Sequence, residues 1–434
     1  MRSDGPLRWL FLDFDSYFAS VEQQEHPQWR GRPVVVVPLE DTEAAGTGAI
    51  AVSREAKALG IRRGMRLGEV RAVCPDVCVA SARHDVYVAW HHRLVGEIER
   101  HAPVDLVHSI DELSIRLGRS QERPEAAEAL ARGIKNGILR NVGECLTCSV
   151  GLAPSRLLAK LAAEMDKPDG LRILLPGDLP DAIADLPLEE IPGISRGISR
   201  RLARVGIRDV PGLWKLAPKQ ARAIWGSVTG ERFIRALHGE DVDPPPAGPP
   251  KSFGHGRVLD PARRLPETAW PVACMLLLKA AARLRRREMV AGALTLSVRW
   301  LRGGGDAEGR HRRGRDDAAW EVCFPSTSDS FVFLRHLERL WSRCERAARR
   351  RPDPRMRNIY VHLHALEPEN ARQLDLFAQT DLKMRERERL WAEIDRLARR
   401  FGSRTVEPAS LKHLDLKYAG AKIAFGRIPE AEDF

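Results

Sequence analysis

Two adjacent carboxylates, Asp111 and Glu112, interrupt a stretch that otherwise alternates apolar and polar residues. Val104-Asp105-Leu106-Val107-His108 precedes them and Leu113-Ser114-Ile115 follows, so Ser109-Ile110-Asp111-Glu112 reads as the turn or bulge between two strands. Side by side in a half-buried hairpin, two carboxylates repel each other and resist desolvation unless a cation sits between them or water reaches both. A second acidic pair, Asp13 and Asp15, lies where the apolar run Leu10-Phe11-Leu12 meets a polar helix start. If the two strands are neighbours, Asp13, Asp111 and Glu112 converge on one oxygen-rich pocket, and the sequence offers these carboxylates no partner other than a metal. Such a pocket suits Mg²⁺, which takes a few carboxylates and leaves positions for substrate phosphates. Asp15 stands where an N-cap belongs, ahead of a helical pattern over 16–22, and capping is its expected role.

The rest of the chain supplies the opposite charge. Lys and Arg number 70 against 59 Asp and Glu, a net charge of +11, and a basic excess around an acidic pocket points to a polyanion partner. A coding bias towards Arg would give the same excess. The 434 residues suggest about three domains of ~150 residues. No apolar run approaches the ~20 residues that span a membrane, and no signal-peptide core follows the N-terminus, so a cytosolic protein is expected. The 7 cysteines suit reduced thiols. Cys74/Cys78 and Cys145/Cys148 have zinc-like spacing, but a strand over 145–150 puts the second pair on opposite faces, which disfavours zinc.

In chain order, strands are expected at 34–37 and 49–52, then a short helix over 54–59 ending at Gly60. Its Arg54 and Lys57 are either ligand contacts or plain surface charges. Helices over 83–101 and 123–140 flank the acidic hairpin. A strand at 146–150, a helix over 156–165 and the turn Lys167-Pro168-Asp169-Gly170 complete an α/β sheet with acidic residues at strand ends. The stretch from Leu186 to Ser195, followed by a helix over 200–205, looks like a helix-hairpin-helix element. Its hairpin, at Gly193 and Ser195, would aim backbone N–H groups at a nucleic-acid phosphate; an ordinary helix connection is the alternative. Ser195 stands where that motif usually has its second Gly. A companion hairpin is expected near 225–230.

Pro244-Pro245-Pro246-Ala247-Gly248-Pro249-Pro250 is a polyproline spacer that cannot be core. After it, strands at 252–258, 294–300, 320–324 and 359–366 and helices over 271–289 and 328–349 make a βαββαβ pattern. Arginine clusters at Arg283/Arg285-Arg286-Arg287, 310–315 and Arg346/Arg349-Arg350-Arg351 favour a phosphate-tracking surface. Further on, Gln373-Leu374-Asp375-Leu376-Phe377 places exposed Leu and Phe in a polar setting, the mark of a short linear motif. A charged helix over 381–400 carries Leu382, Leu390, Ile394 and Leu397 on one stripe.

From about Trp9 to Phe377 the chain resembles the Y-family (translesion) DNA polymerases, in their bacterial DNA polymerase IV and UmuC-like branch. The residues that carry the likeness are Leu12-Asp13-Phe14-Asp15-Ser16-Tyr17-Phe18-Ala19-Ser20-Val21-Glu22, Ser109 to Glu112, and Thr147-Cys148-Ser149-Val150-Gly151-Leu152-Ala153-Pro154 through Lys167-Pro168-Asp169-Gly170. The hairpin element and the basic βαββαβ unit follow in the family's order. The resemblance implies a multidomain α/β and α+β right hand. Its parts are palm (1–30 and 76–166), fingers (31–75), thumb with the helix-hairpin-helix (167–240), linker (241–251), little finger (252–368) and a tail (369–434). It implies that Asp13, Asp111 and Glu112, with the Phe14 carbonyl, hold two Mg²⁺ ions. Phe18 is then the steric gate against a 2′-hydroxyl, and Tyr17, Arg54, Lys57 and Lys167 contact the triphosphate. Gly193 and Ser195 bind the DNA backbone, and Gln373, Leu374, Leu376 and Phe377 bind a sliding clamp. Primer-template DNA, deoxynucleoside triphosphates and accessory repair proteins are the implied partners, and the nucleoid the implied location. Arg54 and Lys57 depart from the Tyr and Arg that many members carry, which keeps the charge and loses the aromatic hydroxyl. Two other functions compete: a polymerase-like accessory protein without catalysis, for which the intact carboxylates speak poorly, and a glycosyltransferase using Asp13-x-Asp15, which the basic C-terminal unit disfavours.

Overall fold

A computed structural model describes residues 6–38, 46–242, 248–301, 317–371, 380–402 and 405–406. The motif at 373–377 and the arginine cluster at 310–315 lie outside them, as does most of the proline run. Two compact units result, one built largely from the chain before the proline run and the other from the chain after it. Among the described residues no helix is long and apolar enough to cross a membrane.

The first unit begins with β1 (Trp9–Phe14), α1 (Tyr17–Glu25), β2 (Val34–Val37), β3 (Ala51–Val52), α2 (Arg54–Ala58), α3 (Leu67–Val73), β4 (Cys78–Ser81) and α4 (His84–Glu99). It continues with β5 (Leu106–Val107), β6 (Glu112–Arg116), α5 (Pro124–Asn141), β7 (Cys148–Ala153), α6 (Arg156–Met165) and β8 (Leu171–Ile173). Among the described residues, a five-stranded sheet runs β5-β6-β1-β7-β8 and a smaller one runs β3-β2-β4. β1 lies at the centre of the first, antiparallel to both β6 and β7, and every one of its residues is buried. That explains its near-continuous apolar reading, because a strand covered on both faces has no polar alternation. α6 closes on the sheet at Gly151, where a Cβ would fall 2.0 Å from the Ala159 carbonyl oxygen, so only glycine lets helix and strand touch. With Leu158, Ala159, Leu161, Ala162 and Ala163 turned inward, Lys160 and Glu164 are left at the helix edge.

β7 starts at Cys148, later than the sequence reading placed it, and Cys145 precedes the strand. Cys148 is buried and its thiol is pushed up to about 12 by that burial, the reverse of what a metal thiolate needs. The acidic site below is the one grouping of potential metal ligands among the described residues, and it contains no cysteine.

Past β8 come α7 (Arg196–Arg204), α8 (Val210–Trp214), α9 (Pro218–Trp225) and α10 (Val228–Leu237). The expected hairpins are present: Gly193 (φ 97°) precedes α7, and Gly226 (φ 71°) joins α9 to α10. Leu188, Ile191, Ile194, Leu202 and Phe233 tie this helical part into one core with α6.

The second unit comprises β9 (Ser252–Val258), α11 (Pro266–Arg286), β10 (Met289–Trp300), β11 (Asp317–Thr327), α12 (Ser330–Ala348), β12 (Met356–Pro368) and α13 (Thr380–Phe401). Its antiparallel sheet runs β11-β10-β12-β9, and α11 and α12 pack on it through one core. α11 starts earlier than Pro271 because Pro266 occupies its first turn, where a missing N–H costs nothing, and burial of Ala269, Val272, Ala273 and Leu276 carries the helix past Pro271.

α13 corrects one expectation. On this helix Leu390 is 49% and Leu397 37% exposed, while Trp391 and Glu388 are buried. Glu388 Oε1 accepts from Thr327 Oγ1 (2.6 Å) and the Ser328 amide (3.0 Å), satisfying polar groups that an aliphatic face would have stranded. Arg285 leaves the expected phosphate-tracking cluster. It forks onto Asp395 at 2.6 and 2.9 Å and lies over the Trp391 ring.

Candidate active site

Register brings the acidic residues together. Asp13 on β1 stands opposite Glu112 on β6, as the sequence reading required. The Phe14 amide donates to the Asp111 carbonyl oxygen at 2.8 Å, and the His108 and Ser109 amides both donate to the Glu112 carbonyl oxygen, which ties the hairpin backbone to β1 and to itself. His91, kept neutral by burial, braces the hairpin through Nδ1 on the Ile110 carbonyl oxygen at 2.9 Å. His108 stacks on Phe11 and is pushed down to about 4, first by burial and then by the Arg156 charge, so it too is neutral at pH 7.

The carboxylates do have partners, contrary to the sequence expectation. Lys160 Nζ donates to both Glu112 oxygens at 2.6 and 2.7 Å, and Lys167 Nζ bridges Asp13 Oδ1 (2.7 Å) and Glu164 Oε2 (3.0 Å). Asp111 Oδ1 accepts from Ser109 Oγ at 2.5 Å. Asp13, Glu112 and Glu164 place oxygens within 4.8 Å of one another, and Asp111 is not part of that group. Asp13 is pushed up to about 7, chiefly by burial, with Glu164 and Asp111 adding repulsion and Lys167 opposing them. An all-oxygen set whose most buried member resists ionisation even with the Lys167 ammonium beside it fits a hard divalent ion such as Mg²⁺. Sequence reasoning missed Lys160 and Glu164. Their signal was available: Lys160 and Glu164 stand at i and i+4, and so share one side of α6, which ends just before the turn that carries Lys167.

Asp15 does not cap α1. Ser16 occupies that position, in the left-handed region (φ 51°), and the Asp15 carboxylate is buried elsewhere. Phe18 is 7% exposed and stacks on Tyr87 with ring centroids 4.3 Å apart. Tyr87 Oη donates to Glu22 Oε1 (2.7 Å), and Arg83 forks onto the same carboxylate. Tyr17 is buried and its hydroxyl donates to the Tyr87 carbonyl oxygen at 2.6 Å, which leaves only its backbone for a ligand. Arg54 and Lys57 are exposed on α2, whose first turn is capped by Ser53. A cavity of 680 Å³ runs between α6 and the first hairpin, lined by Lys160 and Glu164 on one side and by Glu189, Glu190, Gly193 and Ser195 on the other. Glu164, a member of the acidic group, therefore faces the same cavity as the hairpin.

Known proteins match both units. The impB/mucB/samB family matches residues 12–164, and that family's C-terminal domain matches residues 250–376. A DNA polymerase IV of Moorella thermoacetica is 32% identical over 96% of this chain and 98% of its own length. One from Halorhodospira halophila is 34% identical over 67% of this chain and 80% of its own. Among solved structures, a Y-family DNA polymerase chimera of Dbh and Dpo4 superposes with a TM-score of 0.66 over 82% of this chain and 98% of the chimera, at 24% identity, and so shares the fold. Matched by both parts of the family and by a relative over nearly the whole length of each, the chain belongs to the Y-family DNA polymerases.

Proposed function

We propose that this polymerase adds deoxynucleotides to a primer 3′ end at the pocket formed by Asp13, Asp111 and Glu112, in template-directed synthesis across damaged DNA. The observation that carries the assignment is the register of β1 and β6, which sets Asp13 against Glu112, with Glu164 of the same acidic group lining the cavity. In the reaction the primer 3′-oxygen forms a bond to the α-phosphorus, the bond to pyrophosphate breaks, and the hydroxyl proton leaves. Two Mg²⁺ ions held by Asp13, Asp111, Glu112 and the Phe14 carbonyl would lower the pKa of that hydroxyl and neutralise the triphosphate and the departing pyrophosphate.

The remaining roles belong to the chain itself. Phe18, backed by the Tyr87 ring, closes the space under the sugar and excludes a 2′-hydroxyl. Lys167, with Arg54, Lys57 and the Tyr17 backbone, binds the triphosphate, and its short bond to Asp13 shows how near that ammonium comes to the acidic group. Gly193 and Ser195, exposed at the first hairpin, offer backbone N–H groups to a primer phosphate across the same cavity. We assign the palm to 1–30 and 76–166, the fingers to 31–75, the thumb to 167–240 and the little finger to 252–368. Gln373, Leu374, Leu376 and Phe377 are assigned to a sliding clamp, in a reading that rests on their sequence alone; calorimetric affinity for the clamp should be lost in Leu376→Ala/Phe377→Ala. The non-catalytic alternative is disfavoured by the intact acidic set. Primer extension on undamaged and abasic templates with Mg²⁺ tests the assignment: extension is expected on both, and failure on undamaged template would refute it.

A further inference from the structure

Asp15 is 4% exposed, and its carboxylate accepts three hydrogen bonds from uncharged donors. Thr147 Oγ1 donates to Oδ2 at 3.0 Å, Ser149 Oγ to Oδ1 at 2.9 Å and the Asp169 amide to Oδ2 at 2.9 Å. The first two belong to the approach to β7 and to β7 itself, while Asp169 lies in the turn Lys167-Pro168-Asp169-Gly170. Asp169 holds φ 57°, a conformation that a non-glycine residue keeps only when its surroundings fix it. The fixing is two-sided. Asp15 grips the turn through the Asp169 amide, and from the other side Lys135 Nζ donates to the Asp169 carbonyl oxygen (2.7 Å), Asp169 Oδ1 (2.7 Å) and the Gly170 carbonyl oxygen (3.2 Å).

The group this braced turn presents is the Lys167 side chain, whose ammonium stands 2.7 Å from Asp13 Oδ1. The spacing is matched on the two partners: Asp13 and Asp15 are two apart, and so are Lys167 and Asp169. One strand end thus meets the lysine side chain with its first carboxylate and the lysine's backbone turn with its second. A long flexible ammonium places its charge reproducibly only if its backbone is fixed, because the freedom left in the turn must otherwise be lost on binding.

We infer that Asp15, together with Lys135, is a positioning residue for nucleotide binding: it fixes the 167–170 turn so that Lys167 delivers its ammonium to the edge of the acidic site, where the triphosphate of the incoming nucleotide binds. This rests on the proposed role of Lys167. Asp15 itself touches neither metal nor substrate.

Single-turnover insertion by the full chain, titrated with deoxynucleoside triphosphate, separates apparent nucleotide affinity from maximal rate for Asp15→Asn, Lys167→Ala and the double variant. The amide keeps the shape of the carboxylate but turns one acceptor into a donor, so it cannot receive all three hydrogen bonds. Asp15→Asn is expected to weaken nucleotide affinity about tenfold with the maximal rate little changed, the size of one lost hydrogen bond's worth of positioning. In the Lys167→Ala background it should cost nothing further. Unchanged affinity in Asp15→Asn, or losses that add in the double variant, would overturn the inference and leave Lys167 its role. Wild-type affinity in Lys167→Ala would overturn both. Should Asp15→Asn lose its melting transition, Lys135→Gln decides: a loss that disappears in the Lys167→Ala background supports the inference, and an unchanged affinity sinks it.

Discussion

Each unit of this protein buries acid–base pairs, and the two sets are built differently. In the first unit Glu112 and Asp13 meet lysines whose side chains are 30% and 29% exposed, point charges on flexible stems. In the second, Arg285 is 9% exposed at the side chain, forks onto Asp395, donates to the Ser328 carbonyl oxygen and Ser330 Oγ, and stacks over Trp391. A lysine held by one or two carboxylates can let them go when another cation arrives. An arginine satisfied on every side cannot move without stranding several buried groups. The first arrangement keeps a site available for chemistry, and the second fastens α13 to the fold.

The largest effect expected from this difference is catalytic. Glu112→Ala and Asp111→Ala should each lower primer extension by about a thousandfold or more, since a lost ligand forfeits several kcal/mol of transition-state charge stabilisation. DNA binding followed by fluorescence anisotropy should survive. Near wild-type extension by either variant would remove the distinction between the two units.

Asp395→Ala should do the reverse. Leaving Arg285 buried without its partner costs about 3 kcal/mol, and undocking of α13 would limit the loss. Calorimetry is expected to show a lower melting temperature for the second unit, with single-nucleotide insertion intact. An unchanged melting temperature would mean that the pair is as dispensable as a surface ion pair.

Phe18→Ala sharpens the comparison inside the first unit, where the Phe18–Tyr87 stack is as fixed as anything in the second. The ratio of ribo- to deoxynucleotide incorporation should rise about thirtyfold, equivalent to ~2 kcal/mol of lost exclusion. No change would make Phe18 an ordinary core residue.

The smallest effect is one of pH. Asp13 titrates at about 7 in the fold against 3.8 as a free side chain, so keeping it ionised costs stability. That cost is absent below the free value, grows between the two and is complete above about pH 7. In chelator-containing buffer Asp13→Asn should therefore melt higher than the parent at pH 8, and the gain should shrink towards pH 5. A gain independent of pH would assign it to something other than the carboxylate.

Much of this was legible beforehand, and for a definite reason. Period-two and helical patterns are local, so the strands carrying Asp13 and Glu112, the two hairpins at Gly193 and Gly226 and the βαββαβ order could all be read from the chain, along with the convergence of Asp13 on Glu112. Which cation meets which carboxylate could not be read. Asp15 reaches Asp169 across 154 positions, Lys160 reaches Glu112 across 48 and Arg285 reaches Asp395 across 110, and no periodicity encodes such pairings. Asp15 looked like a cap because local rules favour Asp at a helix start; tertiary packing offered it three hydrogen-bond donors and Ser16 took the cap position. α13 meets the unit through Trp391 and Glu388, because the surface there carries a hydroxyl, an amide and a guanidinium, which the stripe of leucines in its sequence does not reveal. The side of a helix that turns inward is decided by the groups waiting there, and only the folded neighbour supplies them.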